Sequence, residues 1–206
     1  MVNGPGETTL DVSRETYERL NDFADLLIKW NPKINLISRA SLPDLWTRHI
    51  ADSIQVFRAA PPAEHWVDLG SGGGFPGVVT AIMAAESSPD TQFTLIESDQ
   101  RKAVFLRTAA RTCGLQKFTV VSKRIESADP QNGDVVSARA LADLSTLIGY
   151  GYRHAAPDGT MLFPKGKTWG KEVEDARAKW NFDLSAVTSE IEPEGALLII
   201  KGVSRD

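Results

Sequence analysis

The apolar positions in the first 62 residues recur at helical spacing. Between Ser13 and Trp30, the apolar side chains that share one helical face are Tyr17, Leu20, Ala24, Leu27 and Ile28. This spacing predicts an amphipathic helix with Ser13 as its N-cap, followed by a break in the segment that holds Asn31, Pro32 and Asn35. A second helix is predicted from near Pro43 to Pro61 and Pro62, with one face formed by Trp46, Ile50, Ile54 and Phe57. Residues 1–62 are therefore predicted to form an N-terminal helical extension.

From His65 onward, short apolar runs alternate with helical segments, which indicates a mostly parallel sheet with helices on both faces. Strands are predicted near residues 65–69, 92–97, 117–121, 134–137, 159–163, 184–191 and 196–202. Helices are predicted near residues 76–86, 99–112, 140–150 and 169–180. Only residues 192–195 separate the last two strands, which is too short for a helical crossover and predicts a hairpin. Residues 63–206 are thus predicted to form a Rossmann-like α/β domain with a seven-stranded, mostly parallel sheet whose last strand is antiparallel.

The run from Val67 to Gly77, VDLGSGGGFPG, joins the first of these strands to a glycine-dense turn and a proline-started helix. Glycines tolerate positive φ and let a ligand approach the backbone, and Pro76 fits the first turn of a helix. The turn therefore presents free backbone N–H groups at a helix N-terminus, which predicts a nucleotide-like ligand.

Two ligand classes fit this turn. Gly72, Gly74 and Gly77 match the GxGxxG pattern of dinucleotide-binding proteins. An acid-x-Gly-x-Gly-x-Gly pattern, which resembles motif I of class I methyltransferases, is formed by Asp68, Gly70, Gly72 and Gly74. The Asp68 carboxylate would oppose a pyrophosphate but would suit the ammonium and sulfonium of S-adenosylmethionine, so the sequence favours S-adenosylmethionine. A purely structural glycine-rich loop is the third interpretation.

Composition narrows the class of protein further. A length of 206 residues with 42% hydrophobic residues fits one folded domain with a small extension. The net charge of −4 argues against a general nucleic-acid coat. The single cysteine excludes an internal disulfide, the three dispersed histidines predict no metal site, and no apolar run nears the roughly 20 residues of a membrane span. Because the N-terminus has no basic, apolar leader, we expect a cytoplasmic protein with no membrane contact.

Further candidate residues follow the predicted strands, where ligands of open α/β sheets bind. Glu97 ends the second strand, and its carboxylate is predicted to accept hydrogen bonds from two ribose hydroxyls, with helix capping as the alternative. After the third strand, Ile125 is expected to cover an adenine face and Glu126 to meet the polar edge of the adenine. Arg139 follows the fourth strand and is expected to open onto the same cleft, with a surface salt bridge as the competing interpretation.

Eight segments in order resemble one family: KWNPKINLIS (29–38), RHIADS (48–53), DLGSGGGFPG (68–77), LIES (95–98), RKAVFLR (101–107), KRIE (123–126), SARA (137–140) and PKG (164–166). By these motifs the chain is identified as a member of the RsmG (GidB) family over nearly its entire length. The resemblance implies a bacterial class I methyltransferase that uses S-adenosylmethionine to methylate N7 of one guanosine in 16S ribosomal RNA. It also implies that the cofactor lies against Gly70, Phe75, Ile125, Glu126 and Arg139.

Guanine N7 carries an in-plane lone pair and no proton at neutral pH, so the implied reaction needs no general base. Catalysis would then come from positioning of the reacting atoms. Arg139 and Lys165 are predicted to position guanine or phosphate, and Arg48 and His49 are predicted to form a second wall that contacts RNA.

Several alternatives remain at this point. His49 is also interpreted as a half-buried side chain paired with Ser53 or Asp52, one helical turn away. Methylation of a small molecule would suit the negative net charge, and nucleotide binding without methyl transfer would suit the GxGxxG pattern. The expected partner is 16S RNA, whether naked, in an assembly intermediate or in the small ribosomal subunit, and a monomer without a stable protein partner is expected.

Overall fold

The computed structural model describes residues 2–3 and 9–205. Its α-helices are α1 (Arg14–Ile34), α2 (Ala51–Ala59), α3 (Gly77–Ser87), α4 (Gln100–Thr112), α5 (Leu144–His154) and α6 (Trp169–Arg177). A π-helix at Leu45–Ile50 runs directly into α2, and 3-10 helices occupy Arg39–Ser41 and Ile125–Ser127. The strands are β1 (Val2–Asn3), β2 (Thr9–Leu10), β3 (His65–Leu69), β4 (Gln92–Ile96), β5 (Phe118–Val121), β6 (Gly133–Ala138), β7 (Ala155–Lys165), β8 (Trp180–Thr188) and β9 (Ala196–Arg205). Within this part of the chain, no helix is long and apolar enough to cross a membrane.

Strands β3 to β9 form one seven-stranded sheet in the order β5-β4-β3-β6-β7-β9-β8. Six strands are parallel to one another, and β9 runs antiparallel to both of its neighbours. The predicted sheet, with its antiparallel last strand, is confirmed. The chain moves from β3 outward to β5 and then returns to β6 on the other side of β3. Strands β3 and β6 therefore flank a topological switch point, where open α/β sheets bind ligands.

Two hydrophobic clusters cover the two faces of this sheet. Helices α1 to α4 pack on one face, where the rings of Phe75 and Phe105 have centroids 5.4 and 6.3 Å from that of Phe23 in α1. Helices α5 and α6 pack on the other face, against Val67 and Leu69 of β3. The N-terminal helices thus share a core with α3 and α4, and the boundary placed after residue 62 stays a prediction.

Helix α1 does not end at Trp30 as predicted but continues through Pro32 to Ile34. Pro32 lies in the last turn, where its missing N–H removes one hydrogen bond close to the natural end of the helix. The chain then leaves through Asn35, a left-handed residue whose N–H donates to the Asn31 carbonyl. The buried Asn31 side chain accepts the N–H groups of the two residues after Asn35, at 2.8 and 2.9 Å, and so holds the following loop. The sequence showed the polar residues but not this capping arrangement.

Other element boundaries also differ from the prediction; strand β7, for example, begins at Ala155 rather than near residue 159. Helix α5 begins after its N-cap Asp143 rather than near residue 140, because the Asp143 carboxylate accepts the N–H of Thr146 at 3.0 Å. Strand β8 begins at Trp180, earlier than predicted, since Trp180 and Phe182 are both buried at alternate positions. It ends at Thr188, where the chain turns toward α2. The small sheet formed by β1 and β2 was not predicted.

Candidate active site

A cavity of about 1000 Å³ opens at the carboxyl ends of the parallel strands, at the switch point between β3 and β6. Its "β4 side" is formed by residues 70–73 of the glycine turn, the residues that follow β4 (97–98) and those that follow β5 (123–126). Its "β7 side" is formed by residues 48, 49 and 52 of the N-terminal helices, 139–142 after β6, 164–166 at the end of β7, and 189, 191 and 192 before β9. Phe75 lies between the two sides. The volume is at the upper end of the range for small-molecule sites.

The glycine turn needs glycine for two separate reasons. Gly70, Gly72 and Gly74 have φ values of +62°, +50° and +89°, which other residues adopt only with strain. A Cβ on Gly70 would also lie 2.6 Å from Leu141 Cδ1. Gly77 differs, because its φ is not positive and a Cβ there would lie 2.6 Å from Asp68 Oδ2. Gly77 is therefore required for the close packing of α3 on Asp68 of β3.

Glu97 lines the cavity and ties the glycine turn to the start of α4. Its Oε2 accepts the N–H of Gly72 and its Oε1 accepts the N–H of Asp99, each at 2.8 Å. Helix α4 has Asp99 as its N-cap, so Glu97 does not cap that helix by itself. Each carboxylate oxygen keeps a second lone pair. The predicted contact between Glu97 and a ribose stays a prediction, to which the structure adds a bracing role for the turn.

Asp68 does not lie where the sequence interpretation placed it. The side chain is fully buried beneath the turn and does not line the cavity, so in this structure its carboxylate does not face a ligand there. Ser137 Oγ donates to Asp68 Oδ1 at 2.7 Å, and the indole N–H of Trp66 donates to the same Ser137 hydroxyl at 2.9 Å. Burial raises the pKa of Asp68 to about 6, although hydrogen bonds and the Arg139 charge act in the opposite direction. The alternation of β3 directs this residue toward α3.

Ile125 and Glu126 both line the β4 side, on the 3-10 helix after β5. Ile125 is largely buried, and its carbonyl is hydrogen-bonded to Nε2 of the buried His154 at 2.9 Å. Glu126 is exposed, and its Oε1 accepts the phenol of Tyr150 at 2.6 Å, a hydrogen bond that lowers the pKa of Glu126. An apolar group and an acceptor are thus adjacent on this wall.

Arg139 joins the N-terminal helices to the glycine turn. Its guanidinium forms an ion pair with Asp52 at 3.2 Å, donates to His49 Nδ1, and donates to the carbonyl of Arg48 at 3.3 Å. It also lies 5.1 Å from the centre of the Phe75 ring. This is a partly buried ion pair within the cavity wall rather than a surface salt bridge, because the two side chains are 16% and 17% exposed. The sequence analysis did not predict Asp52 as the ion-pair partner of Arg139, although its position one helical turn after Arg48 was a usable signal.

His49 does not pair with Ser53 or Asp52 through its ring. The Ser53 hydroxyl donates to the backbone carbonyl of His49 at 2.7 Å, and the ring accepts a hydrogen bond from Arg139 instead. Burial, together with the charges of Arg139 and Arg48, lowers the pKa of His49 to about 4. The imidazole is therefore neutral near pH 7 and carries its proton on Nε2.

Lys165 is not the free cation that the sequence interpretation assumed. Its ammonium lies 2.6 Å from Glu172 Oε2 and donates to the Ala142 carbonyl at 2.9 Å, and the side chain is 10% exposed. Glu172 also accepts the N–H of Leu144, so this pair fixes the loop between β6 and α5. Arg48, by contrast, is exposed at the mouth of the cavity. The structure thus gives Lys165 a loop-holding role and leaves Arg48 available to a ligand.

Comparison with known proteins gives one consistent family. The family model GidB, described as rRNA small subunit methyltransferase G, matches residues 16–203. The Ribosomal RNA small subunit methyltransferase G of Ruegeria pomeroyi is 61% identical over 201 residues, which cover 98% of this chain and 98% of that protein. The protein of the same name from Gluconobacter oxydans is 46% identical, over 94% of this chain and 97% of that protein.

Solved structures support the fold at lower identity. The ribosomal protein L11 methylase from Lactobacillus delbrueckii subsp. bulgaricus superposes with a TM-score of 0.56 at 18% identity, covering 76% of this chain and 77% of that chain. A SAM dependent methyltransferase from Aquifex aeolicus gives a TM-score of 0.57 at 13% identity, covering 77% and 92%. The chain therefore has the class I, Rossmann-like fold that was predicted.

Proposed function

The chain belongs to the rRNA small subunit methyltransferase G (GidB) family, and from this premise we propose that it transfers a methyl group from S-adenosylmethionine to N7 of a guanosine in small-subunit (16S) ribosomal RNA. The observation that carries the proposal is one continuous cavity with two differently built sides. The β4 side suits the cofactor, and the β7 side leaves room for a base.

The β4 side fits S-adenosylmethionine by the chemistry of its groups. The glycine turn has no side chains that would keep a ligand from the backbone, Glu97 has lone pairs left for ribose hydroxyls, and Ile125 offers apolar surface to adenine. We assign cofactor contacts to Gly70, Gly72, Phe75, Glu97, Ile125, Glu126 and Arg139. Asp68 is buried under the turn and acts on the cofactor through the turn rather than by contact.

S-adenosylmethionine supplies an electrophilic methyl group, which N7 takes with its in-plane lone pair while the sulfur keeps the electrons of the broken bond. The task of the protein is to hold the base in line with that methyl group, and such orientation is worth roughly 7 to 11 kcal/mol. Arg139 is suited to this task because Asp52, His49 and the Arg48 carbonyl hold its guanidinium. Lys165 positions the loop after Arg139 through its contact with Ala142.

No side chain of the β7 side has to accept a proton in this reaction. His49 is neutral above pH 6 because its pKa is lowered to about 4, and its Nδ1 lone pair already accepts from Arg139. We therefore expect the single-turnover rate to change little between pH 7 and 9, without the bell-shaped profile of an acid–base pair.

The test uses small-subunit RNA in which 7-deazaguanosine, with carbon in place of N7, replaces the target guanosine. We expect methyl transfer to the guanosine RNA and none to the 7-deaza RNA, with equal binding of both. Mass spectrometry of the digested RNA locates the methyl group. Equal transfer to both RNAs, or a methyl group on another base, would contradict N7 methylation.

We expect the chain to act in the cytoplasm as a monomer, with no stable protein partner. Its substrate is 16S RNA in one of three states: naked, in an assembly intermediate or in the complete small subunit. Initial rates on these three preparations, at equal target concentration, identify the state that is methylated fastest.

A further inference from the structure

The Glu192 carboxylate differs in its hydrogen bonding from the other carboxylates that line the cavity. The paired carboxylates are Asp52 with Arg139, Glu97 with two backbone N–H groups, Glu126 with Tyr150, and Glu172 with Lys165. Among the residues that the structure describes, no hydrogen bond or ion pair reaches the Glu192 carboxylate, although this exposed residue lines the cavity. Its backbone N–H donates to Ser189 Oγ at 2.9 Å, which leaves the side chain uninvolved.

The position of this carboxylate is defined by its surroundings. A Cβ on Gly166 would lie 3.8 and 3.9 Å from the two oxygens of Glu192, so the carboxylate stands over the end of β7. Burial is the main cause of the raised pKa of Asp52, and the negative charge of Glu192 adds to it, so Glu192 also faces α2. Gln55 of α2 holds the loop by donating to the Thr188 carbonyl at 2.8 Å and accepting the N–H of Glu190 at 3.2 Å.

This position lies on the substrate half of the cavity. Strand β7 is two strands away from β3 in the sheet, and neighbouring strands are about 4.8 Å apart. Glu192 is therefore roughly 10 Å from the glycine turn, on the side opposite to Glu97. A base whose N7 points toward the turn has its Watson–Crick edge on the side of β7.

An exposed acid without a partner is unfavourable beside RNA, whose phosphates repel it, unless the base supplies donors. Guanine has only acceptors on its N7 and O6 edge, but N1–H and the N2 amino group on its Watson–Crick edge are donors. A carboxylate is an acceptor only, and adenine has no matching pair of donors. We infer that Glu192 accepts hydrogen bonds from N1–H and the N2 amino group of the target guanine, and so determines the choice of base. This inference rests on the proposed function.

The test compares guanosine with inosine, which lacks the N2 amino group, at the target position of the same small-subunit RNA. For the unaltered chain we expect kcat/KM to be at least about tenfold higher with guanosine, the ratio expected for one hydrogen bond to a charged group. In Glu192→Ala this ratio should fall below about twofold, because the carboxylate that would accept from the N2 amino group is then absent for both bases. Glu192→Gln, which keeps the shape and one acceptor oxygen, should give an intermediate ratio.

Glu194→Gln is the matched control, since this acid is in the same loop but forms an exposed ion pair with Lys167 at 2.7 Å. It should keep the full guanosine-to-inosine ratio, and all variants should keep the S-adenosylmethionine Kd and the melting temperature. A ratio unchanged in Glu192→Ala overturns the inference. An equal gain in kcat/KM for the guanosine and inosine RNAs in Glu192→Ala also overturns the inference, because the carboxylate would then only repel RNA. The 7-deaza RNA keeps the two proposals separate. Methylation of this RNA would refute N7 chemistry. If the 7-deaza RNA is not methylated but the guanosine-to-inosine ratio is unchanged in Glu192→Ala, only the role of Glu192 is refuted.

Discussion

The two sides of the cavity are built in different ways. On the β4 side, the groups that line the cavity come from short contiguous segments, and the glycine turn presents backbone rather than side chains. The sequence predicted free N–H groups there, but those of Gly70, Ser71, Gly72 and Gly74 donate to acceptors within the protein. On the β7 side, the groups are long side chains drawn from four distant parts of the chain. Arg139 and Asp52 are separated by 87 positions, yet they form an ion pair. The β4 side is thus preorganised by local backbone geometry, and the β7 side by tertiary contacts.

The two sides are therefore expected to respond differently to substitution. A backbone site has no redundancy, because one altered φ or one added side chain changes the whole turn. The Arg139 guanidinium, in contrast, has three partners and a ring beside it, so the loss of one partner leaves the others. We therefore expect single substitutions to be severe on the β4 side and graded on the β7 side.

The largest effect is expected for Gly72→Asp. The φ of Gly72 is +50°, and its N–H donates to Glu97, so an added carboxylate would be both strained and close to a like charge. S-adenosylmethionine binding should be lost in titration calorimetry while the protein remains folded. Gly114→Asp is the matched control, since Gly114 has a φ of +67° but lies outside the cavity with no atom within 4 Å of its Cβ position. Wild-type cofactor affinity in Gly72→Asp would contradict the preorganised turn.

The next effect concerns Asp68, beneath the turn. Because burial raises its pKa from 3.8 to about 6, the native state holds this proton more tightly than the unfolded chain does. The resulting stability is fully present below about pH 4 and is lost as the pH rises through 6, a change of about 3 kcal/mol. It should appear as a pH-dependent difference in unfolding free energy between wild type and Asp68→Asn. The lowered pKa of His49 makes the unfolding free energy rise with pH instead, but this contribution is the same in wild type and Asp68→Asn and cancels in the difference.

Ser137→Ala provides the internal check on this prediction. The Ser137 hydroxyl lowers the pKa of Asp68, so its removal should move the transition to higher pH. A difference between wild type and Asp68→Asn that stays flat from pH 4 to 7 would show that Asp68 is not buried as described.

Glu97→Ala should weaken S-adenosylmethionine binding by about 1.5 to 3 kcal/mol, the range for hydrogen bonds to a charged group. Both carboxylate oxygens brace backbone N–H groups, so methionine-end contacts should weaken together with ribose contacts. Calorimetry with S-adenosylmethionine and with adenine, which lacks the ribose, measures the two contributions. Asp90→Ala, which removes an exposed carboxylate paired with Lys117, is the control. Unchanged cofactor affinity in Glu97→Ala would contradict both the ribose contact and the effect of the bracing on the methionine end.

Asp52→Asn tests the graded response of the β7 side. It removes the charged partner of Arg139 but leaves His49 and the Arg48 carbonyl, so single-turnover methylation should fall by about tenfold, or roughly 1.4 kcal/mol. Asp44→Asn is the control, because Asp44 is exposed and its side chain makes no capping hydrogen bond. A loss in Asp52→Asn as complete as that of Gly72→Asp would remove the distinction between the two sides.

The smallest effect is expected in the salt dependence of RNA binding. Arg48 is exposed at the cavity, so Arg48→Ala should reduce the slope of log affinity against log salt by about 0.7 to 0.9. Lys165→Met should leave the slope unchanged, because its ammonium is already paired with Glu172. Filter binding at several salt concentrations measures both. A shallower slope in Lys165→Met would restore the direct RNA contact that the sequence interpretation gave this residue.

Features that depend on local periodicity and on backbone freedom could be predicted from the amino-acid sequence. Alternating apolar runs predicted seven strands and their helices, and the short gap at residues 192–195 predicted the antiparallel β9. The glycine turn was identified correctly because positive φ is a property of single residues, confirmed at Gly70, Gly72 and Gly74. Helix ends were less accurate, since the end of α1 depends on hydrogen bonds from the Asn31 side chain to residues beyond the helix.

Which charged side chains face the cavity and which are paired within the protein depends on tertiary contacts. Residue type made Asp68, Lys165 and Arg139 equal candidates, but the burial and the partners that the fold gives each charge determine what it can offer to a ligand. The fold buries Asp68 beside Ser137, joins Lys165 to Glu172, and brings Asp52 to Arg139. Ser137 and Asp52 are 69 and 87 positions away from the residues that they meet. Glu172 is near Lys165 in sequence but lies on a different element, α6, so no local pattern encodes these contacts. The sequence therefore located the site, and the packing of distant elements determined which of its side chains remain available to a ligand.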